Sequence, residues 1–191
     1  MSTMKSTDMK LLMHFCCGPC GVGCCDALRQ EGLDFTGFWF NPNIHPFTEH
    51  RSRRDGLKQL SEIENFDVIW RDEYGLRPFV KEVAADIEHR CAFCYRVRME
   101  AAALSAAENG FDAFTTTLLT SPYQNHEGII AAAEAAAEKY GVEFLYRDFR
   151  PFFRDGQAKA RELGLYMQKY CGCIFSEEER YSKEFRKGKK K

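Results

Sequence analysis

The sequence predicts one α/β domain with a five-stranded, mostly parallel, Rossmann-like sheet and helices on both of its faces. Short apolar segments that suit strands alternate with longer segments that suit helices. This alternation is typical of a parallel sheet whose crossover connections are helical. The 191 residues also suit a single core, because one domain commonly holds about 100–200 residues. We therefore expect residues 1–191 to form one domain, with flexible tails at 1–10 and 186–191.

The first part of the chain is expected to hold three strands with a helix after each of the first two. Pro19 suits the first turn of the first helix, and Gly32 suits its end. The predicted elements are a strand at 11–15, a helix at 19–31, a strand at 35–40 that ends at the loop 41–43, a helix at 48–65 and a strand at 66–70.

The rest of the chain is expected to add two strands and several helices. Gly110 suits the end of the helix that carries Cys91 and Cys94. Ser176 and Glu179 have the spacing of a capping box, which predicts that the last helix begins there. The other predicted elements are a helix opened by Pro78, a helix running to 109, a strand at 111–119, a loop at 121–125, a helix ending near 140–141, a strand at 142–146 and a helix ending at 163–164.

The composition is that of an ordinary globular protein without a strong charge bias. Hydrophobic residues make up 45% of the chain and charged residues 29%, with a net charge of -1. Any contact with RNA must therefore come from local basic patches. The two visible patches are Arg51, Arg53, Arg54 with Lys58, and the tail 186–191. No segment suits a signal peptide or a membrane span of ~20 apolar residues, so we expect a cytoplasmic protein.

Nine cysteines fall mainly into three groups that are far apart along the chain. Cytoplasmic thiols stay reduced, so these cysteines are expected to be metal ligands or redox-active groups rather than structural disulfides. The first group directly follows the first predicted strand, and parallel sheets bind ligands where their strands end. We therefore predict a metal site at the carboxyl ends of the strands. The residues of this predicted site are Cys16, Cys17, Cys20, Cys91, Cys94, Cys171 and Cys173.

Seven clustered cysteines are more than one tetrahedral site can use. A [4Fe–4S] cluster typically takes four thiolates. Three thiols would then be left for a second metal with an open position. Cys24 and Cys25 lie on the helix that follows, where they could equally be small core residues.

Other functions compete with this interpretation. A closed zinc site plus buried cysteines would use the same ligands, as would a zinc-binding module that recognises RNA or protein. A non-enzymatic iron–sulfur electron carrier would need only four of the thiols. The stretch Cys17-Gly18-Pro19-Cys20 looks like a thioredoxin-type redox motif, but that chemistry leaves the other two groups unexplained. A nucleotide-dependent sulfur-transfer enzyme would need a glycine-rich phosphate loop, and none has the right spacing.

Several motifs spread over most of the chain point to one family. They are LMHFCCGPC at 12–20, FNPNIHP at 40–46, RCAFCYRVR at 90–98, FDAFTTTLLTSP at 111–122, DFR at 148–150, ELGLY at 162–166 and YCGCIFS at 170–176. This combination resembles that of the cobalamin-independent epoxyqueuosine reductases, the QueH family. The match is far more specific than any single Cys-x-x-Cys pair.

The resemblance implies the last step of queuosine biosynthesis in tRNA. In that step the epoxide of epoxyqueuosine, at the wobble base of the anticodon, is reduced by two electrons and two protons to give queuosine and water. The implied cofactors are a [4Fe–4S] cluster and a separate mononuclear metal ion, which is expected to be iron. The implied partners are tRNA and an external electron donor such as a ferredoxin or flavodoxin.

The seven cysteines occupy the metal-binding positions of the family. Some relatives resembling this chain carry aspartate in place of Cys20, and an oxygen ligand suits a mononuclear metal better than a cluster. This assigns Cys20, with Cys16, to the second metal. The expected cluster ligands are then Cys17, Cys91, Cys94 and one of Cys171 or Cys173.

Reduction of an epoxide also needs a proton donor, and the protein must bind the wobble base. His45, Asp148 and Tyr123 are the expected donors, because each lies in or near a loop at the strand ends. Unpaired loop bases are usually held by stacking and by cations on phosphates. The expected stacking residues are Tyr95, Tyr123 and Phe47, and the expected phosphate contacts are Arg51, Arg53, Arg54, Arg150 and the lysine tail.

Overall fold

The computed structural model describes residues 9–188, with side chains up to 182. Of the two predicted flexible tails, only residues 9–10 and 186–188 fall within this range, and 186–188 belong to the last helix. The strands are β1 (Leu11–His14), β2 (Phe35–Trp39), β3 (Val68–Trp70), β4 (Ala113–Thr116) and β5 (Glu143–Phe144). The helices are α1 (Gly18–Gln30), α2 (Phe47–Glu64), α3 (Leu76–Val83), α4 (Arg90–Glu108), α5 (His126–Tyr140), α6 (Phe153–Glu162) and α7 (Ile174–Gly188).

The five strands form one sheet in the order β3-β2-β1-β4-β5. All four pairings are parallel, with Leu11 of β1 opposite both Phe35 of β2 and Ala113 of β4. All four residues of β1 are buried, as expected for a central strand covered on both faces. The helices form two packed groups, α1 with α2 and α6, and α4 with α5. The predicted fold class is confirmed.

The chain order reverses between β1 and β4, which makes their carboxyl ends the switch point of the sheet. The first cysteine group follows β1 there, as predicted. The predicted strand at 111–119 was too long, because β4 ends at Thr116 and a 3-10 turn follows at Thr117–Thr120. The Thr116 side chain accepts a hydrogen bond from the Leu118 N–H, which turns the chain at the edge of the sheet.

Two glycines of the cysteine-rich stretch let α1 pack closely against its neighbours. A Cβ atom on Gly18 would lie 2.5 Å from the Gly56 carbonyl oxygen of α2. A Cβ atom on Gly23 would lie 2.7 Å from the Phe152 carbonyl oxygen, directly before α6. These contacts fix the start of α1, and with it the first cysteines, against the rest of the domain.

The last helix begins earlier than the capping box predicted. α7 starts at Ile174, so Ser176 and Glu179 lie inside it and the predicted capping box is wrong. The Ser176 N–H instead donates to the Cys173 sulfur at 3.4 Å, and Glu179 pairs with Arg90. No helix within residues 9–188 is long and apolar enough to cross a membrane.

Candidate metal centre

A cavity of about 580 Å³ lies at the switch point and brings the three cysteine groups together. Cys16 enters it from the end of β1, and Thr117 from the end of β4. Cys91 reaches it from the first turn of α4, and Cys171 from the loop before α7. Cysteines more than 70 residues apart along the chain therefore face one cavity, and all nine cysteines are free thiols.

The first thiol set is formed by Cys16, Cys17 and Cys20. Their sulfurs all lie within 4.8 Å of one another, and those of Cys16 and Cys17 are 3.8 Å apart. Cys17 is the N-cap of α1, where its sulfur accepts a hydrogen bond from the Cys20 N–H at 3.4 Å. The positive end of the helix dipole favours a thiolate at such a position. This set has the spacing needed to grip one metal ion.

Within this set, the pKa values of Cys16 and Cys17 are shifted in opposite directions. Hydrogen bonds from the Cys17 and Cys20 thiols lower the pKa of Cys16 well below its ordinary value. The Thr117 hydroxyl adds a third donor at 3.4 Å. Burial raises the pKa of Cys17, and its hydrogen bond to the Cys16 sulfur raises it further. A bound metal cation would displace the thiol protons of this set, because cysteine binds metals as thiolate.

The second thiol set is formed by Cys91, Cys94, Cys171 and Cys173. Cys94 and Cys173 are buried together in a small apolar cluster with Phe79, whereas Cys91 and Cys171 are exposed. Burial raises the pKa of Cys94 to about 12, and negative charge on Cys173 and Cys171 adds to the effect. Burial also raises the pKa of Cys91, and the nearby Cys171 and Cys173 raise it further. The four sulfurs therefore lie within electrostatic range of one another.

A buried ion pair between Arg53 and Glu49 supports the loop that carries Cys171 and Cys173. Arg53 donates to the carbonyl oxygens of Tyr170 and Cys171, each at 2.8 Å, and to Glu49 at 2.7 Å. The Arg53 side chain is only 2% exposed. The expectation that Arg53 contacts a phosphate at the surface is therefore wrong, because its nitrogens are already committed to this loop.

Gly172 lies between the two cysteines of this loop. Its φ of 142° is a backbone conformation that residues other than glycine rarely adopt. Its carbonyl oxygen accepts a hydrogen bond from the His45 N–H at 2.7 Å. Cys171 and Cys173, on either side of Gly172, both line the cavity.

Two glutamines that were not among the expected site residues donate hydrogen bonds to the thiols. Gln124 Nε2 lies 3.3 Å from the Cys171 sulfur, and Gln168 Nε2 lies 3.1 Å from the Cys20 sulfur. Gln124 lies in the predicted loop at 121–125, but only the fold brings it to a cysteine 47 residues away. Each thiol set thus receives one amide donor.

The three expected proton donors lie in different surroundings. Tyr123 lines the cavity, is 87% exposed and packs edge-on against Phe153 with ring centroids 6.1 Å apart. His45 is buried behind the 171–173 loop, where its Nδ1 accepts from the Ile174 N–H at 3.4 Å and burial lowers its pKa to about 4. Asp148 binds Arg150 at 2.7 Å, which lowers the pKa of its carboxyl group. Neither His45 nor Asp148 is among the residues that line the cavity.

The remaining expected residues separate in the same way. Tyr95 lines the cavity but is only 4% exposed, and its hydroxyl donates a hydrogen bond to Gln124. Phe47 is 53% exposed but packs against Tyr74, away from the cavity. Cys24 and Cys25 are fully buried on α1, among the residues of the apolar core.

The donor set suits a metal centre that is rich in thiolates. Thiolates are the usual ligands of iron–sulfur clusters and of structural zinc, and the seven sulfurs here form one set of three and one set of four. The fold and the site together define a Rossmann-like α/β protein with a cluster of cysteines that could bind a metal at the switch point of its sheet.

Comparisons with known proteins agree on one family. The family model described as epoxyqueuosine reductase QueH matches residues 11–179. The protein of that name from Dehalococcoides mccartyi is 38% identical over 174 residues, which cover 91% of this chain and 96% of that protein. The one from Thermotoga maritima is 33% identical and covers 91% and 93%. The one from Helicobacter pylori is 35% identical over 87% of this chain, but only 49% of that longer protein is matched. The chain therefore belongs to the epoxyqueuosine reductase QueH family.

A solved structure also aligns with this fold. It is a predicted subunit of tRNA methyltransferase from Methanocaldococcus jannaschii, with a TM-score of 0.49 and 16% identity over 93% of this chain and 88% of that one.

Proposed function

We propose that this protein is a tRNA epoxyqueuosine reductase that works with iron and sulfur and without cobalamin. The reaction removes the epoxide oxygen of epoxyqueuosine with two electrons and two protons, and it releases queuosine and water. The observation that carries the proposal is that five cysteines from three separate groups line one cavity, with Cys17 beside Cys16 and Cys94 beside Cys173, in a chain whose family match runs over residues 11–179. Such a set of thiols suits redox chemistry at a metal centre better than a closed structural site.

The geometry favours a simple division of the seven cysteines. We assign the [4Fe–4S] cluster to Cys91, Cys94, Cys171 and Cys173, because Cys94 and Cys173 are buried together and Cys173 lines the same cavity as Cys91 and Cys171. The mononuclear iron then falls to the compact set Cys16, Cys17 and Cys20. This differs from the sequence-based assignment in two ways: Cys17 moves to the second metal, and both Cys171 and Cys173 bind the cluster instead of one of them. When bound, the cluster supplies single electrons, and the second ion supplies a Lewis acid.

The protein's own residues bind and orient the base. Tyr123 and Phe153 form an aromatic pair at the cavity, where a flipped base can stack. Amide side chains of Asn125 and Gln157 also line the cavity and can pair with polar edges of the base. Among the three candidate donors, Tyr123 is the one that lines the cavity, so we propose its hydroxyl as the proton donor. His45 would then hold the 171–173 loop through its N–H, and Asp148 would hold Arg150.

The partners proposed here are the anticodon loop of tRNA and an external electron donor such as a ferredoxin or flavodoxin, in the cytoplasm. Lys169 lines the cavity and is exposed, which suits a contact with a phosphate near the flipped base. Arg54 and Arg150 already pair with Asp72 and Asp148, so they are weaker candidates. The basic tail at 189–191 lies outside the described residues.

Anaerobic purification with a count of iron, zinc and acid-labile sulfide tests the proposal. About four to five iron atoms and four sulfides per chain are expected, since a [4Fe–4S] cluster is held by four cysteines. The loaded protein should convert epoxyqueuosine in tRNA to queuosine with dithionite as reductant. About one zinc, no sulfide and no turnover would overturn the proposal and point to a closed structural site.

A further inference from the structure

The Gln124 side chain is held by a short chain of hydrogen bonds that ends on a thiol. The Asn125 N–H donates to the Tyr95 hydroxyl at 3.3 Å, and that hydroxyl donates to Gln124 Oε1 at 2.7 Å. The other end of the Gln124 amide, Nε2, lies 3.3 Å from the Cys171 sulfur. The amide therefore bridges the buried Tyr95 and a residue of the second thiol set.

The orientation of this amide follows from its partners. The Tyr95 hydroxyl has one proton to donate, and Gln124 Oε1 lies 2.7 Å from its oxygen. The Tyr95 hydroxyl oxygen accepts a hydrogen bond from the Asn125 N–H. Its own proton is therefore donated to Gln124 Oε1. The Nε2 group, a donor without acceptor capacity, must then face Cys171. Gln168 lacks such an anchor, since its buried Oε1 has no hydrogen-bond partner among the described residues.

We propose that Gln124 is a positioning residue that fixes one N–H donor on the Cys171 sulfur and thereby raises the reduction potential of the centre held there. This inference rests on the proposed function, in that it takes Cys171 as a cluster ligand. Reduction adds negative charge to a thiolate-bound cluster, and hydrogen bonds to its sulfurs stabilise that charge. Partners outside the ligand set commonly orient ligands and tune metal centres in this way.

A redox titration monitored by electron paramagnetic resonance tests the inference on the anaerobically purified full chain. Gln124→Leu removes the donor and keeps a side chain of similar size. We expect about a tenfold loss in the ratio of reduced to oxidised cluster at a fixed potential, which is a shift of 59 mV to lower potential for one electron. Gln124→Glu should shift the potential in the same direction, because a carboxylate brings a negative charge and no donor.

Tyr95→Phe and Gln157→Leu complete the series. Tyr95→Phe leaves Gln124 in place but releases its Oε1, so a smaller shift to lower potential is expected. Gln157 also lines the cavity, but its Nε2 faces the Pro19 carbonyl oxygen rather than a sulfur, so Gln157→Leu should leave the potential unchanged. Iron and sulfide counts accompany each titration.

Equal potentials in the wild type and in Gln124→Leu, at equal iron and sulfide content, would overturn this inference alone. If Gln124→Leu does not assemble the cluster, an unchanged potential in Tyr95→Phe overturns it instead. A wild-type protein without sulfide would overturn the proposed cofactor, and this inference with it.

Discussion

Replacing Arg53 by methionine should strongly destabilise the protein, because it leaves a buried carboxylate without its partner. The Arg53 side chain is 2% exposed and that of Glu49 is 6% exposed, with 2.7 Å between the guanidinium and the carboxylate. Breaking a buried pair by removing one member typically costs about 3–5 kcal/mol. For a domain of this size, that corresponds to a fall in the melting temperature of about 6–20 °C. Arg53→Met also removes two hydrogen bonds to the loop of Cys171.

Thermal and urea unfolding of the metal-free protein would measure this effect. Arg54→Met is a matched control, because Arg54 is the next residue, is 32% exposed and pairs with Asp55 and Asp72 at the surface. Its loss should cost no more than about 1 kcal/mol. In Arg53→Met/Glu49→Gln the stranded charge is gone, so part of the lost stability should return. Equal losses in Arg53→Met and Arg54→Met, or a double variant no more stable than Arg53→Met, would refute the reasoning.

Three further predictions address packing, proton transfer and metal binding. Gly23→Ala should cost about 1–3 kcal/mol in urea unfolding, because its Cβ would press on the Phe152 carbonyl; Gly56→Ala, whose Cβ would have no neighbour closer than 3.8 Å, should not be destabilised comparably. Tyr123→Phe should lower kcat by about 10²–10⁴-fold, whereas Asp148→Asn should retain turnover, and the reverse result would reassign the proton donor. Cys20→Ala should lose about one iron and keep its sulfide, whereas Cys94→Ala should lose both cluster iron and sulfide. Loss of sulfide in Cys20→Ala would contradict the proposed division, and Cys24→Ala should match the wild type in both counts.

The strands and helices could be predicted because each leaves a local signature. β1 is an apolar run followed by a Gly-Pro break, and Gly141 ends α5 with a φ of 67°. The prediction failed where a side chain outside the usual capping residues took over. Cys173 accepts the Ser176 N–H and α7 begins at Ile174, a role that no capping box would indicate.

The candidate site could be predicted only as a set of residue types. Seven cysteines indicate a metal centre, but their division depends on distances between sulfurs that meet only after folding. Arg53 and Arg54 are neighbours in the sequence, yet one faces the buried side of α2 and the other faces solvent. Gln124 and Gln168 contact sulfurs 47 and 148 residues away, so no local pattern could single them out.

The cysteine cavity also ties together distant parts of the chain. A cofactor bound to Cys94 and Cys171 would join residues more than 70 positions apart in the sequence, which only the folded chain brings together. Its binding free energy would then also be folding free energy. The last ligand, Cys173, directly precedes α7, so a nascent chain still lacking that segment cannot offer the complete set of seven. The complete centre can therefore be loaded only after that segment has been synthesised.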